Sequence, residues 1–142
     1  MIEPGIYKDV MSSFPSGVTV VTTLDRTVPL IEDRLKLAGL YQRCASVRAS
    51  GMAVLELEAN PLAAVEAIVR QAELAISDDK AEVICLGCGG MAGLDEQIRQ
   101  RTGVPVVDGV TAAVTIAESL VRLGLSANRL HGAPISAHRA TL

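Results

Sequence analysis

Aromatic residues are almost missing from this sequence: its 142 residues include one Phe, two Tyr and no Trp. A core must therefore be filled by Val, Ile, Leu and Ala, and the stacking platforms on which single-stranded nucleic acids lie are absent. A basic surplus is missing as well. With 13 Lys and Arg against 16 Asp and Glu the net charge is −3, whereas a nucleic-acid face usually carries a positive patch. No stretch approaches the roughly 18–20 uninterrupted apolar residues of a membrane-spanning helix. The opening MIEPGIYKDVM has early acids and no apolar run of the kind a secretory signal needs. Nucleic acid and membrane are thus excluded as partners, and a cytoplasmic setting is expected. Cysteine is sparse too: Cys44, Cys85 and Cys88 read as reduced thiols, not as a disulfide framework. What is abundant is aliphatic residues. The chain is 49% hydrophobic with a mean hydropathy of +0.36, too apolar for disorder and of a length for one domain. Such a surplus hints at apolar surface that expects a partner.

Periodicity alternates along the chain. Residues 17–23 (GVTVVTT) form a β-branched run suited to a strand buried on both faces. In TVPLIEDRLKLAG, Val28, Ile31, Leu35 and Ala38 recur at helical spacing, Glu32 and Lys36 are placed to pair outside, and Gly39 stands where a helix would stop. Residues 43–47 are a second strand. After a polar stretch, Asn60-Pro61 supplies a helix cap and a proline at the first helical position. Leu62, Val65, Val69, Ala72 and Ile76 then line one face, with Glu66 and Arg70 opposite. Residues 82–87 are the third strand. It leads through CGGMAG into a helix with Asp95 and Arg99 paired and Gly103 as its stop. VPVV at 104–107 is the fourth strand, and Asp108 caps a helix carrying Val110, Val114, Ala117, Val121 and Gly124, with Glu118 and Arg122 paired outside. The order β-α-β-α-β-α-β-α predicts an α/β fold: a single doubly wound domain with a four-stranded parallel sheet and helices on both faces. It should occupy residues 17–125, between an irregular N-terminal segment (1–16) and a polar C-terminal tail (126–142).

Ligands of open α/β sheets bind beyond the carboxyl ends of the strands. The loops there are expected to begin at Thr22-Thr23, Val47-Arg48, Cys88-Gly89-Gly90 and Val107-Asp108. The third is the unusual one, because LGCGGM puts a thiol between glycines at a strand-to-helix turn. Glycines allow close approach of the backbone to a ligand. The N–H groups of Gly89, Gly90 and Met91 are expected to face outward, unpaired, at the positive end of a helix, where the field favours the thiolate. That arrangement suits proton abstraction beside a carboxylate or imide carbonyl, where negative charge develops. The plain alternative is a small cysteine buried in a tight turn. Thr22 or Thr23 would point a hydroxyl at the site, or simply reflect strand propensity. Cys85, inside its strand, reads as core, so the C-x-x-C with Cys88 does not suit a redox pair. Cys44, at the start of its strand, reads as core as well. For a metal, Cys44, His131 and His138 offer no tidy ligand spacing, the two histidines read as solvated tail residues, and none is expected.

The stretches VVTTLDRTVPLIEDRL, RCASVRASGMAVLELE, AEVICLGCGGM and VPVVDGVTAAVTIAESLVRLGL resemble the aspartate/glutamate racemase superfamily, in its hydantoin and allantoin racemase branch, over roughly residues 18–125. The resemblance implies two similar α/β halves related by a pseudo-twofold axis, with the site between them and one cysteine from each. These work without a cofactor on opposite faces of the substrate's α-carbon: one thiolate removes the proton and the other thiol returns one. Cys88 matches the cysteine of the second half, Gly89 and Gly90 the backbone that holds the substrate's anionic group, and Thr22 and Thr23 the hydroxyl-bearing strand end. The first half, with its own cysteine and asparagine-bearing loop, has no counterpart here. Residues 6–23 instead resemble the opening of a flavin reductase-like domain, of which nothing else follows, so no flavin site is inferred. The expected function is racemase-type proton transfer at the α-carbon of a small anionic or imide substrate, a hydantoin or amino-acid derivative, with Cys88 as acid/base. The rival is a non-catalytic α/β module with at most a weak anion site. One cysteine cannot occupy both faces of a carbon. Racemisation would therefore need a homo-oligomer that sets Cys88 opposite its own mate, or a complementary half supplied by another chain.

Overall fold

The β-branched run at the start of the domain becomes its central strand. The computed structural model describes residues 17–125, so the segment 1–16, the tail 126–142 and the histidines at 131 and 138 lie outside the described residues. The elements are β1 (Val18–Thr22), α1 (Val28–Leu37), β2 (Cys44–Ala49), α2 (Val54–Ala59), α3 (Pro61–Asp78), β3 (Val83–Leu86), α4 (Asp95–Thr102), β4 (Val106–Asp108) and α5 (Gly109–Arg122). The sheet order is β2-β1-β3-β4, and every neighbouring pair is parallel. Strand order reverses between β1 and β3, the place at whose carboxyl ends ligands of such sheets bind.

Side-chain alternation divides the core. Val21, Ile84 and Leu86 pack with the buried face of α3 (Ala64, Val65, Ile68, Val69, Ala72 and Ala75) and with Ile98 of α4. Val18, Val20, Val83 and Cys85 pack on the other side with Leu35 of α1 and Leu40. Three alanines in the α3 stripe bring that helix close to the sheet, and each large aliphatic side chain buried there contributes roughly 1.5–3 kcal/mol. The start of α3 follows from its sequence: Asn60 Oδ1 accepts from Ala63 N at 3.2 Å, and Pro61 occupies the first turn. Gly103 ends α4 at φ +72°, the left-handed conformation that glycine adopts without a Cβ clash.

Several expectations are corrected. Within the supposed polar stretch lies α2, which buries Leu57 and is fastened at its start by Glu56 Oε2 accepting from Ala53 N at 2.7 Å. Strand β2 runs on to Ala49, so Arg48 is no loop residue. Its guanidinium makes two bonds to Asp79, at 2.6 and 3.0 Å, tying the edge strand to the end of α3. Leu62 is 80% exposed, because it falls in the first turn of α3 before that helix meets the sheet. The surface ion pairs also rearrange: Lys36 meets Asp33, Arg99 meets Glu96, and Glu66 reaches across to Arg101 of α4. The fourth helix of the expected alternation, α5, has an apolar stripe that no described residue covers, with Val114 53% and Val121 73% exposed.

Candidate active site

Cys88 follows β3 after Gly87, at the carboxyl end of the sheet, and is half-buried against the α3-side core. The ladder carries on past the strand, since Gly87 N donates to Val21 O at 2.8 Å. With Val21 opposite Leu86, the register continued by two residues sets Thr23 beside Cys88. On the far side of β1, Ser50 N and Gly51 N donate to Thr22 O and Thr23 O, both at 2.8 Å. Three chain crossings thus meet at this end: 22–23, 50–51 and 87–90.

The two threonines differ. The hydroxyl of Thr22 lies 3.1 Å from that of Thr27, which itself donates to Leu24 O at 2.6 Å. Thr22 therefore fastens the turn into α1. Thr23 is buried, and among the described residues no hydrogen bond to its hydroxyl is present. Of the pair, Thr23 is the one whose hydroxyl is unengaged among the described residues.

After Cys88 the chain makes a single 3-10 turn, Gly89–Met91, and α4 begins only at Asp95. The passage through CGGMAG into the helix is as expected, but the positive helix end expected at the thiol is corrected: residues 89–94 separate Cys88 from the start of α4. Met91 is corrected as well. Its side chain is fully buried and its N–H donates to Cys88 O at 3.0 Å, so it faces no ligand. The N–H groups of Gly89 and Gly90 carry no hydrogen bond among the described residues, as the first donors of a turn. A Cβ on Gly90 would come within 3.2 Å of Val54 Cγ1, 3.5 Å of Leu57 Cδ1 and 3.9 Å of Cys88 Sγ, while one on Gly89 would meet nothing within 4 Å. The helix missed in the sequence, α2, therefore forms the wall on which the Cys88 turn rests.

Asp108 closes the site from the β4 side. It accepts from Val110 N at 2.9 Å and from Thr111 Oγ1 at 2.6 Å, the expected cap, and also from Gly93 N at 3.3 Å. The last bond ties the loop carrying Cys88 to the neighbouring strand. No motif in the sequence marks that link, because Gly93 and Asp108 are 15 residues apart. The other thiols are set away from this edge. Cys85 is fully buried, and burial pushes its thiol up to about 12, with Asp108 adding to the effect. Cys44 opens β2 at the opposite end of the sheet, donates to Ser46 O at 3.2 Å, and is raised by burial to about 11. Among the described residues no group of three or more His, Cys, Asp or Glu could hold a metal, and no helix is long and apolar enough to cross a membrane. In chemical terms the site offers one half-buried sulfur, two N–H donors with no partner among the described residues and one hydroxyl, groups of the kind that can hold an anionic oxygen beside a proton-transferring group.

A family model described as Asp/Glu/Hydantoin racemase matches residues 5–117. The chain belongs to this racemase family. Hydantoin racemase of Rhizobium meliloti is 43% identical over 113 residues, 80% of this chain and 47% of its own length. Hydantoin racemase of Pseudomonas sp. (strain NS671) is 36% identical over 128 residues, 90% of this chain and 51% of its own. Among solved structures, allantoin racemase from Pseudomonas fluorescens matches with a TM-score of 0.81 at 79% identity, over 90% of this chain and 55% of that one. Allantoin racemase from Klebsiella pneumoniae matches with a TM-score of 0.80 at 38% identity, over 89% and 51%. The α/β architecture is therefore that of allantoin racemases. The chain spans about half the length of the racemases it matches.

Proposed function

We infer that this racemase-family chain performs cofactor-independent proton transfer at the α-carbon of a hydantoin or a related amino-acid derivative, with Cys88 as the acid/base. The observation that carries this reading is the position of Cys88: half-buried at the carboxyl end of β3, beside the N–H groups of Gly89 and Gly90, which have no partner among the described residues, and beside Thr23 when the β1–β3 register is continued by two residues. Removing the α-proton of an imide or carboxylate places negative charge on the adjoining oxygen. Gly89 N, Gly90 N and the Thr23 hydroxyl are the donors that would meet it, and donors fixed before the reaction stabilise such charge without reorganising. Cys88 takes the proton as thiolate and returns one as thiol.

A single sulfur reaches one face of the carbon. Cys85 and Cys44 are no substitutes, one sealed in the core and the other at the far end of the sheet. The chain by itself should therefore exchange the α-proton with retention, and inversion should require a second acid/base from another copy or a complementary half. The test is deuterium wash-in at the α-carbon of a 5-substituted hydantoin in heavy water, followed by proton NMR and chiral chromatography. Exchange that disappears in Cys88→Ala, with the folded signal of the domain unchanged, supports the reading. Equal exchange in Cys88→Ala, or none in the native chain, overturns it and leaves a non-catalytic module.

A further inference from the structure

With Cys88 as the acid/base, two of the groups on the substrate's α-carbon have partners: the proton meets the sulfur, and the adjoining oxygen meets the N–H groups of Gly89 and Gly90. The substituent that tells one hydantoin from another has none so far. The surroundings of Gly90 supply one. The point where a Cβ on Gly90 would sit lies 3.9 Å from Cys88 Sγ, 3.5 Å from Leu57 Cδ1 and 3.2 Å from Val54 Cγ1. Leu57 is 3% exposed and packs into the core, whereas Val54 is 43% exposed among the described residues. Of the two apolar side chains that border this point, Val54 is therefore the one that keeps open surface beside the sulfur. Its backbone is held in place. Val54 opens α2, whose first turn is closed by Glu56 Oε2 accepting from Ala53 N at 2.7 Å and whose Leu57 is anchored in the core. The chain just before it is tied to the end of β1, where Ser50 N and Gly51 N donate to Thr22 O and Thr23 O.

We propose that Val54 is a specificity-determining residue, its isopropyl group bounding the space beside Cys88 into which the substituent of a 5-substituted hydantoin fits. This role rests on Cys88 being the acid/base. A compact substituent such as a methyl group clears Val54. A bulky one such as a benzyl group presses on it and pushes the α-carbon away from the sulfur, and small misplacements of a reacting atom slow a reaction steeply. Valine has no hydrogen-bonding group in its side chain, so it reads the size of the substituent and not its polarity. One methylene more or less in such a contact changes the preference between two substrates by roughly 10–200-fold.

Deuterium wash-in at the α-carbon of 5-methylhydantoin and of 5-benzylhydantoin, each corrected for exchange in buffer alone, tests the proposal on the full chain. Val54→Ala should raise the benzyl-to-methyl rate ratio by roughly tenfold or more, with urea unfolding little changed because the side chain is partly exposed. Val54→Thr keeps nearly the same shape and should keep the native ratio. A Val54→Ala ratio equal to the native one, or an equal fall for both substrates, overturns the role of Val54. If exchange still vanishes in Cys88→Ala, the reading of Cys88 then stands without it. A ratio moved as far by Val54→Thr as by Val54→Ala overturns the dependence on size. Exchange that survives in Cys88→Ala, or none in the native chain, overturns the reading of Cys88 and this role together.

Discussion

Replacing Asp108 by Ala should loosen both the start of α5 and the loop that carries Cys88. The carboxylate is 5% exposed and accepts three hydrogen bonds, from Val110 N, Thr111 Oγ1 and Gly93 N. Losing a helix cap costs about 1 kcal/mol. Bonds to an ionised acceptor are worth roughly 1.5–3 kcal/mol each when well formed, but Val110 and Thr111 are exposed and water replaces part of what they lose. The 3.3 Å bond to Gly93 is long and counts at the low end. The sum is a loss of about 2–3 kcal/mol for Asp108→Ala. Asp108→Asn separates the contributions. Its amide oxygen still caps Val110 N and its NH2 can donate to the Thr111 hydroxyl, yet it cannot also accept from Gly93 N, so the cost should be about 1 kcal/mol or less. Urea unfolding with an unchanged slope measures the two losses, and hydrogen exchange at the Gly93 amide should speed up in both variants. Asp108→Ala within ~0.5 kcal/mol of the native chain, or Asp108→Asn as damaging as Asp108→Ala, would refute this account of the link.

Gly90→Ala puts a methyl group 3.2 Å from Val54 Cγ1 and 3.9 Å from Cys88 Sγ. Since Val54 is a surface side chain that can turn aside, unfolding should shift by less than about 1 kcal/mol, while α-proton exchange falls far more steeply. Equal losses in stability and exchange would contradict the assigned geometry. At about pH 8, iodoacetamide should label Cys88 and spare Cys85 and Cys44 until the chain is unfolded, read by intact-mass spectrometry. Because burial lifts Cys85 from 9.0 to about 12, the unfolded thiol ionises first. Its contribution to stability is thus complete below about pH 9 and declines as pH rises towards about 12. At the other end of the scale, the hydrogen bond from Arg48 holds Asp79 below the ordinary carboxylate range. The stabilisation from that pair is present above about pH 4 and is lost as pH falls through the lowered value. Arg48→Ala should cost about 1–2 kcal/mol at neutral pH, and the gap to the native chain in denaturant titrations should close in acid.

Chemical sequence patterns carried most of the architecture. The Val-Thr run, the Asn60-Pro61 start of α3 and Gly103 at the end of α4 act through neighbours within a turn, so backbone preference alone sets them. The position of Cys88 at the carboxyl end of β3 was legible for the same reason, because strand length and a following Gly-Gly turn define it. What sequence spacing misjudged was anything decided by a partner far along the chain. Helix α2 is short, buries one large side chain, Leu57, and is held by the turn it supports at Gly90. Glu66 finds Arg101 of a neighbouring helix in place of Arg70 on its own, since an exposed carboxylate takes whichever cation the packed helices bring within reach.

The chain's residues by themselves determined the alternation of strands and helices, the family resemblance and the thiol at the sheet's edge. Only the tertiary structure decided that Met91 turns into the core, that Asp108 holds the Cys88 loop through Gly93 and, among the described residues, which threonine keeps an unengaged hydroxyl and that the apolar stripe of α5 has no cover. The physical reason is distance along the chain: local dihedral preference and hydrophobic period act over a few residues, whereas hydrogen bonds such as Gly93 to Asp108 exist only once crossover connections have brought separate strand ends together.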